Sequence, residues 1–235
     1  MTPTEETIKG FIDPFGRWEE GLTAEAFLKL PNGYPRKELL GDSLEMFLGL
    51  RLECVSKDVI ERYAELHTSE SGRMQIVPYT EDLWDKLINP IRIAKKSYAL
   101  GDDLSAIALV GLAAEMLALL TFEVYGPFAS VRKKASGRQL SFNEFEKYGQ
   151  TERIEILGQK VQLTQIEKFR AILEVRREYL HFWSTDYKNI KADSKRCYVA
   201  VFELLASFLD PGVSDGKLTL HPLVLAAVKR WQEQS

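Results

Sequence analysis

Histidine and cysteine are scarce in this chain of 235 residues, which holds three of the first and two of the second. His67, His181 and His221 stand in unrelated segments, without carboxylates or cysteines at metal-ligand spacing. We therefore expect no metal site. Cys54 and Cys197 lie far apart, which argues against a disulfide framework or a zinc ribbon and favours a reducing cytoplasm.

Further absences narrow the classes of function. No G-x-S-x-G elbow or equivalent presents a nucleophilic serine or cysteine, and no Gly-rich loop could cradle a phosphate, so we expect no cofactor of that kind. The first residues are acidic and lack an apolar stretch, so we expect no signal peptide. The formal net charge of −3 means that any contact with a polyanion would need a local basic cluster.

The sequence pattern predicts an all-α protein with two parts. No convincing run of strands is found, whereas apolar residues recur at helical spacing. Residues 1–40 alternate aromatic residues with helix breakers, which predicts an irregular arm packed on the body or on a partner. An amphipathic helix is expected over about residues 42–67, and the polar stretch 68–78 ends it. We therefore divide the chain into an N-terminal extension, residues 1–76, and a helical domain, residues 77–235.

The helical domain begins with a helix from Thr80 that Pro90 should kink or break. Its other predicted helices, besides the one described next, cover residues 102–125, 142–157, 186–209 and a short segment from Pro222. The uninterrupted apolar run of residues 102–125 ends at Glu115, short of the roughly 18 residues that a membrane span needs. This segment is therefore expected to be a buried central helix, and no membrane contact is expected.

Residues 164–184 have the clearest helix N-terminus in the chain, and three ionisable side chains lie near the C-terminal end of the same helix. Thr164 and Glu167 form a capping box, and an apolar face follows. Arg176, Arg177 and His181 are set into the apolar end of this helix, where packing alone would favour leucine or alanine.

Glu115 stands in the most apolar segment of the chain and is expected to need a partner, for which these two arginines are the obvious donors. Without metal ligands or a nucleophile, the remaining chemistry is acid–base catalysis by His181 beside guanidinium groups, which suit phosphate. Phosphodiester cleavage fits these residues. The alternative is structural, since a histidine near a helix C-terminus also serves as a cap or a satisfied core residue. At 100° per residue, Arg177 and His181 point the same way, whereas Arg176 lies about 140° around the helix from His181.

Residues from about 80 to 210 resemble the HEPN superfamily of all-helical domains, many of which are metal-independent endoribonucleases. The resemblance rests on Arg176, followed by R-E-Y-L and His181 near the end of a late helix, and on the order of the helices. It implies an up-and-down helical bundle, a homodimer, and RNA cleavage by attack of a 2′-OH that leaves a cyclic phosphate. Arg176 and His181 would be catalytic, and Arg177, Glu115 and Tyr179 would support them. Arg177 stands where active members commonly have Asn, Asp or His.

The same resemblance implies a setting in phage defence or a toxin–antitoxin pair, with an antitoxin or nucleotidyltransferase-like partner. The alternative is a non-catalytic HEPN-like module that binds a nucleotide or a protein. Tyr179 then belongs to the core or a dimer interface. One basic run could contact RNA, although a solvated loop is the alternative; it comprises Arg132, Lys133, Lys134 and Arg138.

Overall fold

Helices make up nearly all of the structure that the computed structural model describes. The described residues are 10–12, 18–20, 56–70, 84–127, 129, 131, 137–161, 165–181, 186–209, 212–214, 217–219, 221–224, 226–227 and 230. The α-helices are α1 (Lys57–Glu70), α2 (Asn89–Ala99), α3 (Asp103–Tyr125), α4 (Phe142–Phe145), α5 (Gln150–Ile156), α6 (Ile166–His181) and α7 (Ile190–Leu209). The predicted all-α class is confirmed.

Short irregular elements complete this description. Two segments are π-helical, Trp84–Ile88 and Leu157–Val161, and Tyr187–Asn189 forms a 3-10 turn. Two antiparallel hairpins pair three residues per strand: β1 (Gly10–Ile12) with β2 (Trp18–Glu20), and β3 (Gly212–Ser214) with β4 (Lys217–Thr219). The sequence analysis missed these strands, because three residues are too few to produce a period-two pattern.

Helix α3 is the centre of the core. Asp102 caps its N-terminus by accepting a hydrogen bond from the backbone N–H of Ser105 at 3.1 Å. Thirteen of its 23 residues are buried, because α2, α6 and α7 pack against it, whereas Leu104 and Leu112 are 38% and 41% exposed. By length and composition α3 could cross a membrane, and 56% of its most apolar 18-residue stretch is buried inside the protein. The predicted buried central helix is confirmed.

Helix α1 belongs to the predicted N-terminal extension, yet it packs into the same core. Tyr63 and Leu66 are completely buried, and α1 contacts α2 and α7. The helix continues through Glu70, into the polar stretch that was predicted to end it. Residues 42–55 and 71–83 lie outside the described residues, so the predicted division between residues 76 and 77 stays a prediction.

Two predicted helices are interrupted in the structure. The helix expected to carry Pro90 is π-helical to Ile88 and α-helical from Asn89, so the proline lies in the first turn of α2, where its missing N–H is tolerated. The single helix predicted over residues 142–157 is instead two, α4 and α5. Each begins with a glutamate that accepts a hydrogen bond from the backbone N–H three residues earlier, Glu144 from Ser141 and Glu152 from Gly149, both at 3.2 Å.

Two side chains near the ends of α6 and α7 differ from the sequence pattern. The helical spacing of Leu180 with Phe169 and Leu173 predicts that it faces inward, but it is 37% exposed, since it lies 100° around α6 from the buried Tyr179. The apolar pattern of residues 186–209 predicts that Tyr187 faces inward, but it is 49% exposed, because it stands on the 3-10 turn before α7. Residues 222–224 and 226–227 are helical, as predicted from Pro222.

Candidate functional site

Arg176 of α6 and Glu115 of α3 form a hydrogen-bonded ion pair where the two helices cross. Their side chains are 26% and 23% exposed, so the pair is partly shielded from solvent. In such a setting a carboxylate needs a charged or hydrogen-bonded partner. The partner expected for Glu115 is therefore present, and it is Arg176 and not Arg177.

Gly111 makes the position of Arg176 possible. A Cβ atom at residue 111 would overlap Cδ of Arg176 and would lie 3.1 Å from its Nε. The arginine stem therefore lies along the backbone of α3, and its Nε is buried without a hydrogen-bond partner among the described residues. Sequence reasoning missed Gly111, although a glycine one turn before Glu115 in an apolar helix is a visible signal.

A narrow cleft surrounds the ion pair. Its walls come from α3, α5 and α6, and Gln150 and Arg153 of α5 complete the polar part of its lining. The cleft leaves about 20 Å³ for the centres of water molecules, which is room for ordered water and not for a nucleotide base. Arg153 donates from Nη2 to the backbone oxygen of Glu146 at 2.6 Å. No sequence signal connected Gln150 and Arg153 with Arg176, because their segments meet only in the folded chain.

His181 and Arg177 lie on a different side of α6. His181 is the last residue of the helix, and both side chains are exposed. Neither makes a hydrogen bond or ion pair with another residue in the described part of the chain. Residues four apart project from nearly the same side of a helix, so Arg177 and His181 are together while Arg176 turns toward Glu115. The structure thus does not bring the two predicted catalytic residues together within one chain.

An open groove lies beside Arg177, between α5 and α6. It has a volume of about 170 Å³ and is lined by Thr151, Ile154, Glu155, Arg170, Leu173, Glu174 and Arg177. Ile154 is buried and Leu173 is half-buried, so the groove has an apolar floor and a polar rim. Sequence reasoning did not identify this groove.

Tyr179 connects α6 to α7. Its ring is buried, and its hydroxyl donates to Oδ2 of Asp193 at 2.7 Å. Burial raises the pKa of Tyr179, and the hydrogen bond to the Asp193 carboxylate raises it further. The apolar pattern of α7 predicts Asp193 on its solvent face, but Asp193 lies at this helix contact. Catalytic support by Tyr179 stays a prediction, and its observed contacts are those of a core residue.

The remaining predicted residues are placed only in part. Arg138 forms an ion pair with Glu144 and is 63% exposed. His221 accepts a hydrogen bond at Nδ1 from the backbone N–H of Leu223 at 3.3 Å. Several of the residues named from the sequence lie outside the described part of the chain: Arg132, Lys133, Lys134, Thr164 with its predicted capping box, Phe182, Trp183 and the side chain of His67. Across the described ranges, no group of three or more His, Cys, Asp and Glu side chains could hold a metal ion.

Compared with protein-family models, with curated proteins and with solved structures, the chain matches none of them. The resemblance to HEPN domains therefore rests on the Arg176 to His181 spacing and on the order of the helices.

Proposed function

We propose that this protein is a metal-independent endoribonuclease of the HEPN type. The observation that supports the proposal is that His181 and Arg177 are both exposed and lie one turn apart near the end of α6, with Arg177 lining an open groove. An imidazole for proton transfer and a guanidinium for phosphate are then available to the same phosphodiester. Neither group is engaged by another residue of the described structure.

The proposed reaction breaks the RNA backbone without an added nucleophile. His181 accepts the proton of a ribose 2′-OH, whose oxygen attacks the adjacent phosphorus, and the bond from phosphorus to the 5′-oxygen breaks. The departing 5′-oxygen takes up a proton from water, His181 releases its proton to solvent, and a 2′,3′-cyclic phosphate remains. Arg177 donates hydrogen bonds to the phosphate oxygens as negative charge develops on them. In this assignment Arg176 acts on the phosphate only if it leaves Glu115 or reaches a second chain.

A homodimer is part of the proposal. Two copies that meet near the ends of α6 would let an arginine of one chain serve His181 of the other, which removes the geometric conflict within a single chain. Leu180, next to His181, is 37% exposed, and an apolar side chain there suits a protein contact. We also propose a cytoplasmic setting in phage defence or a toxin–antitoxin pair, in which a partner protein restrains cleavage.

The test is cleavage of mixed RNA by the purified full chain in EDTA, with analysis of the product ends. We expect cyclic phosphate ends from the wild type. His181→Ala should lower the rate by at least about 100-fold, the usual contribution of acid–base catalysis. Arg177→Ala should lower the rate by about 100-fold or more, as expected when a donor to the developing charge is lost.

Matched variants separate the roles of the arginines. Arg230→Ala removes an exposed arginine that lines neither the cleft around Glu115 nor the groove beside Arg177, and it should leave the rate unchanged. If Arg176→Ala lowers the rate as much as Arg177→Ala while the fold is retained, the guanidinium of Arg176 is also used. Unchanged cleavage by His181→Ala would contradict the proposed mechanism.

A second function is favoured by one observation. Glu115 already holds Arg176, so the residue that most resembles the HEPN signature is engaged within the fold. This arrangement suits a non-catalytic helical module that binds a nucleotide or a protein partner. Absence of RNA cleavage by a confirmed dimer, together with binding of a nucleotide or a partner, would establish this alternative.

A further inference from the structure

The groove between α5 and α6 carries more unengaged polar groups than the cleft around Glu115. Thr151, Glu155, Glu174 and Arg177 are all exposed, and none of them makes a hydrogen bond or ion pair with another described residue. The groove therefore presents a hydroxyl, two carboxylates and a guanidinium around an apolar floor. Such a floor with a few polar groups at its rim is the usual form of a small-molecule site.

The charges in the groove argue against a uniformly basic surface for a phosphate backbone. Two arginines, Arg170 and Arg177, face two glutamates, Glu155 and Glu174, so the formal charges cancel. Arg170 is paired with Glu167, which leaves Arg177 as the unengaged cation. A ligand that suits this rim needs one anionic group for Arg177 and separate hydrogen-bond donors for the carboxylates.

The groove is large enough for an aromatic ring. Its volume of about 170 Å³ is slightly above the roughly 150 Å³ of an engineered apolar cavity that binds benzene. One six-membered ring, such as that of a pyrimidine, therefore fits on Ile154 and Leu173. Among pyrimidines, cytosine carries an exocyclic amine, and glutamate carboxylates accept hydrogen bonds from that amine. Uracil presents a carbonyl oxygen at the same place and would repel a carboxylate.

We propose that this groove binds a cytidine nucleotide, with the base between Glu155 and Glu174 and its phosphate on Arg177. The inference rests on the proposed function, for which it names the nucleotide next to the cleaved bond. Arg177 and His181 are four residues apart, about 6 Å along the helix axis, so a phosphate on Arg177 is within reach of the imidazole. The same chemistry would recognise free cytidine monophosphate (CMP). The experiment below distinguishes free CMP from a cytidine within an RNA strand.

The experiment measures equilibrium binding of CMP and uridine monophosphate (UMP) to the full chain, since the two nucleotides differ only in the base. We expect CMP to bind at least about tenfold more tightly, the worth of one hydrogen bond to a charged group. Glu174→Gln and Glu155→Gln should each reduce this preference severalfold, because an amide can also donate to the uracil oxygen. Glu61→Gln, on the distant α1, is the control and should leave the preference unchanged.

A second arm maps the cleavage sites of wild type in RNA. Cleavage next to cytidines, lost in the Glu174→Gln variant, would assign the groove to an RNA strand. CMP preference without RNA cleavage would sustain the groove as a site for free nucleotide and would overturn the proposed endoribonuclease. His181→Ala should retain the CMP preference, because the imidazole does not touch the base.

Four results would overturn the inference. These are equal affinity for CMP and UMP, adenosine monophosphate binding as tightly as CMP, a CMP preference that survives both glutamine variants, or failure to bind any nucleotide.

Discussion

The side chain of Arg176 lies along α3 because residue 111 is glycine. Glycine is otherwise a poor choice inside a helix, where it is about 1 kcal/mol less favourable than alanine. Here the missing Cβ lets the arginine stem lie against the helix backbone and reach Glu115. Gly111 thus lowers the intrinsic stability of α3, but it allows α6 to contact α3 through Arg176.

Gly111→Ala should therefore lower the free energy of unfolding by up to about 2 kcal/mol, because the usual 1–3 kcal/mol for overpacking is offset by about 1 kcal/mol of helix propensity. In an Arg176→Ala background the overlap is gone, so the same change should raise stability by about 1 kcal/mol through helix propensity. Urea unfolding of the four proteins of this double-mutant cycle measures both effects. An equal effect of Gly111→Ala in the two backgrounds would contradict the overlap.

Helix α1 is held on the bundle by charged groups as well as by Tyr63 and Leu66. Arg62 donates from Nη1 and Nη2 to the two carboxylate oxygens of Asp103, at 2.9 and 3.2 Å. Both side chains are nearly buried, with 11% and 7% exposed, and the Arg62 guanidinium also lies over the ring of Tyr98. A bidentate ion pair at this depth fixes the orientation of α1 against the start of α3.

Glu65 forms a second junction, between α1, α2 and α7. It accepts hydrogen bonds from the hydroxyl of Tyr98 at 2.8 Å and from Nζ of Lys191 at 3.2 Å. Burial alone would raise the pKa of Glu65, but these donors and the charge of Lys195 outweigh it, so the pKa lies below its usual range. The junction therefore stabilises the fold above the ordinary glutamate range and loses this contribution in acid.

Arg62→Met should lower the free energy of unfolding by about 3–5 kcal/mol, because Asp103 would stay buried without its partner. The double variant Arg62→Met/Asp103→Leu should recover much of that loss, since no buried charge is left alone. Lys57→Met, which removes an exposed ion pair with Glu61, should change stability by less than about 1 kcal/mol. Urea unfolding checks all three, and a loss in the double variant as large as in Arg62→Met would contradict this account.

In the part of the chain that the structure describes, three groups that lose a proton at alkaline pH have raised pKa values, namely Cys197, Tyr98 and Tyr179. Burial raises the pKa of the Cys197 thiol to about 12. Burial also raises the pKa values of Tyr98 and Tyr179, and hydrogen bonds to Glu65 and Asp193 add to the shifts. In each case the unfolded chain releases the proton at a lower pH than the folded protein does.

Stability should therefore be unaffected by these groups at neutral pH and should fall from about pH 9, the ordinary range of a thiol, toward pH 12. Each proton released only on unfolding steepens the decline by up to about 1.4 kcal/mol per pH unit. Urea midpoints at pH 7, 9, 10 and 11 measure this, and Cys197→Ala should move the onset toward pH 10, where tyrosine titrates. A midpoint that stays constant through pH 11 would be inconsistent with neutral burial.

Much of the helical framework could be predicted from the sequence. The cap at Asp102, the apolar segment that became α3, and the spacing of Phe169, Ile172 and Val175 on α6 depend on neighbours within one or two turns. Such signals are local, so they can be read before the chain folds. The hairpins and the split between α4 and α5 were missed, because three-residue strands and closely spaced caps leave little periodicity.

In the candidate site, too, local features could be predicted from the sequence, whereas contacts between distant segments could not. By itself the sequence determined that Glu115 needs a cation, that an arginine of α6 would supply it, and that Arg177 and His181 project together. Only the tertiary structure decided that Arg176 is that cation, that Gly111 makes room for it, and that α5 adds Arg153 to the cleft. The physical reason is distance along the chain. Glu115 and Arg176 are 61 residues apart, and contacts of that range depend on how whole helices pack.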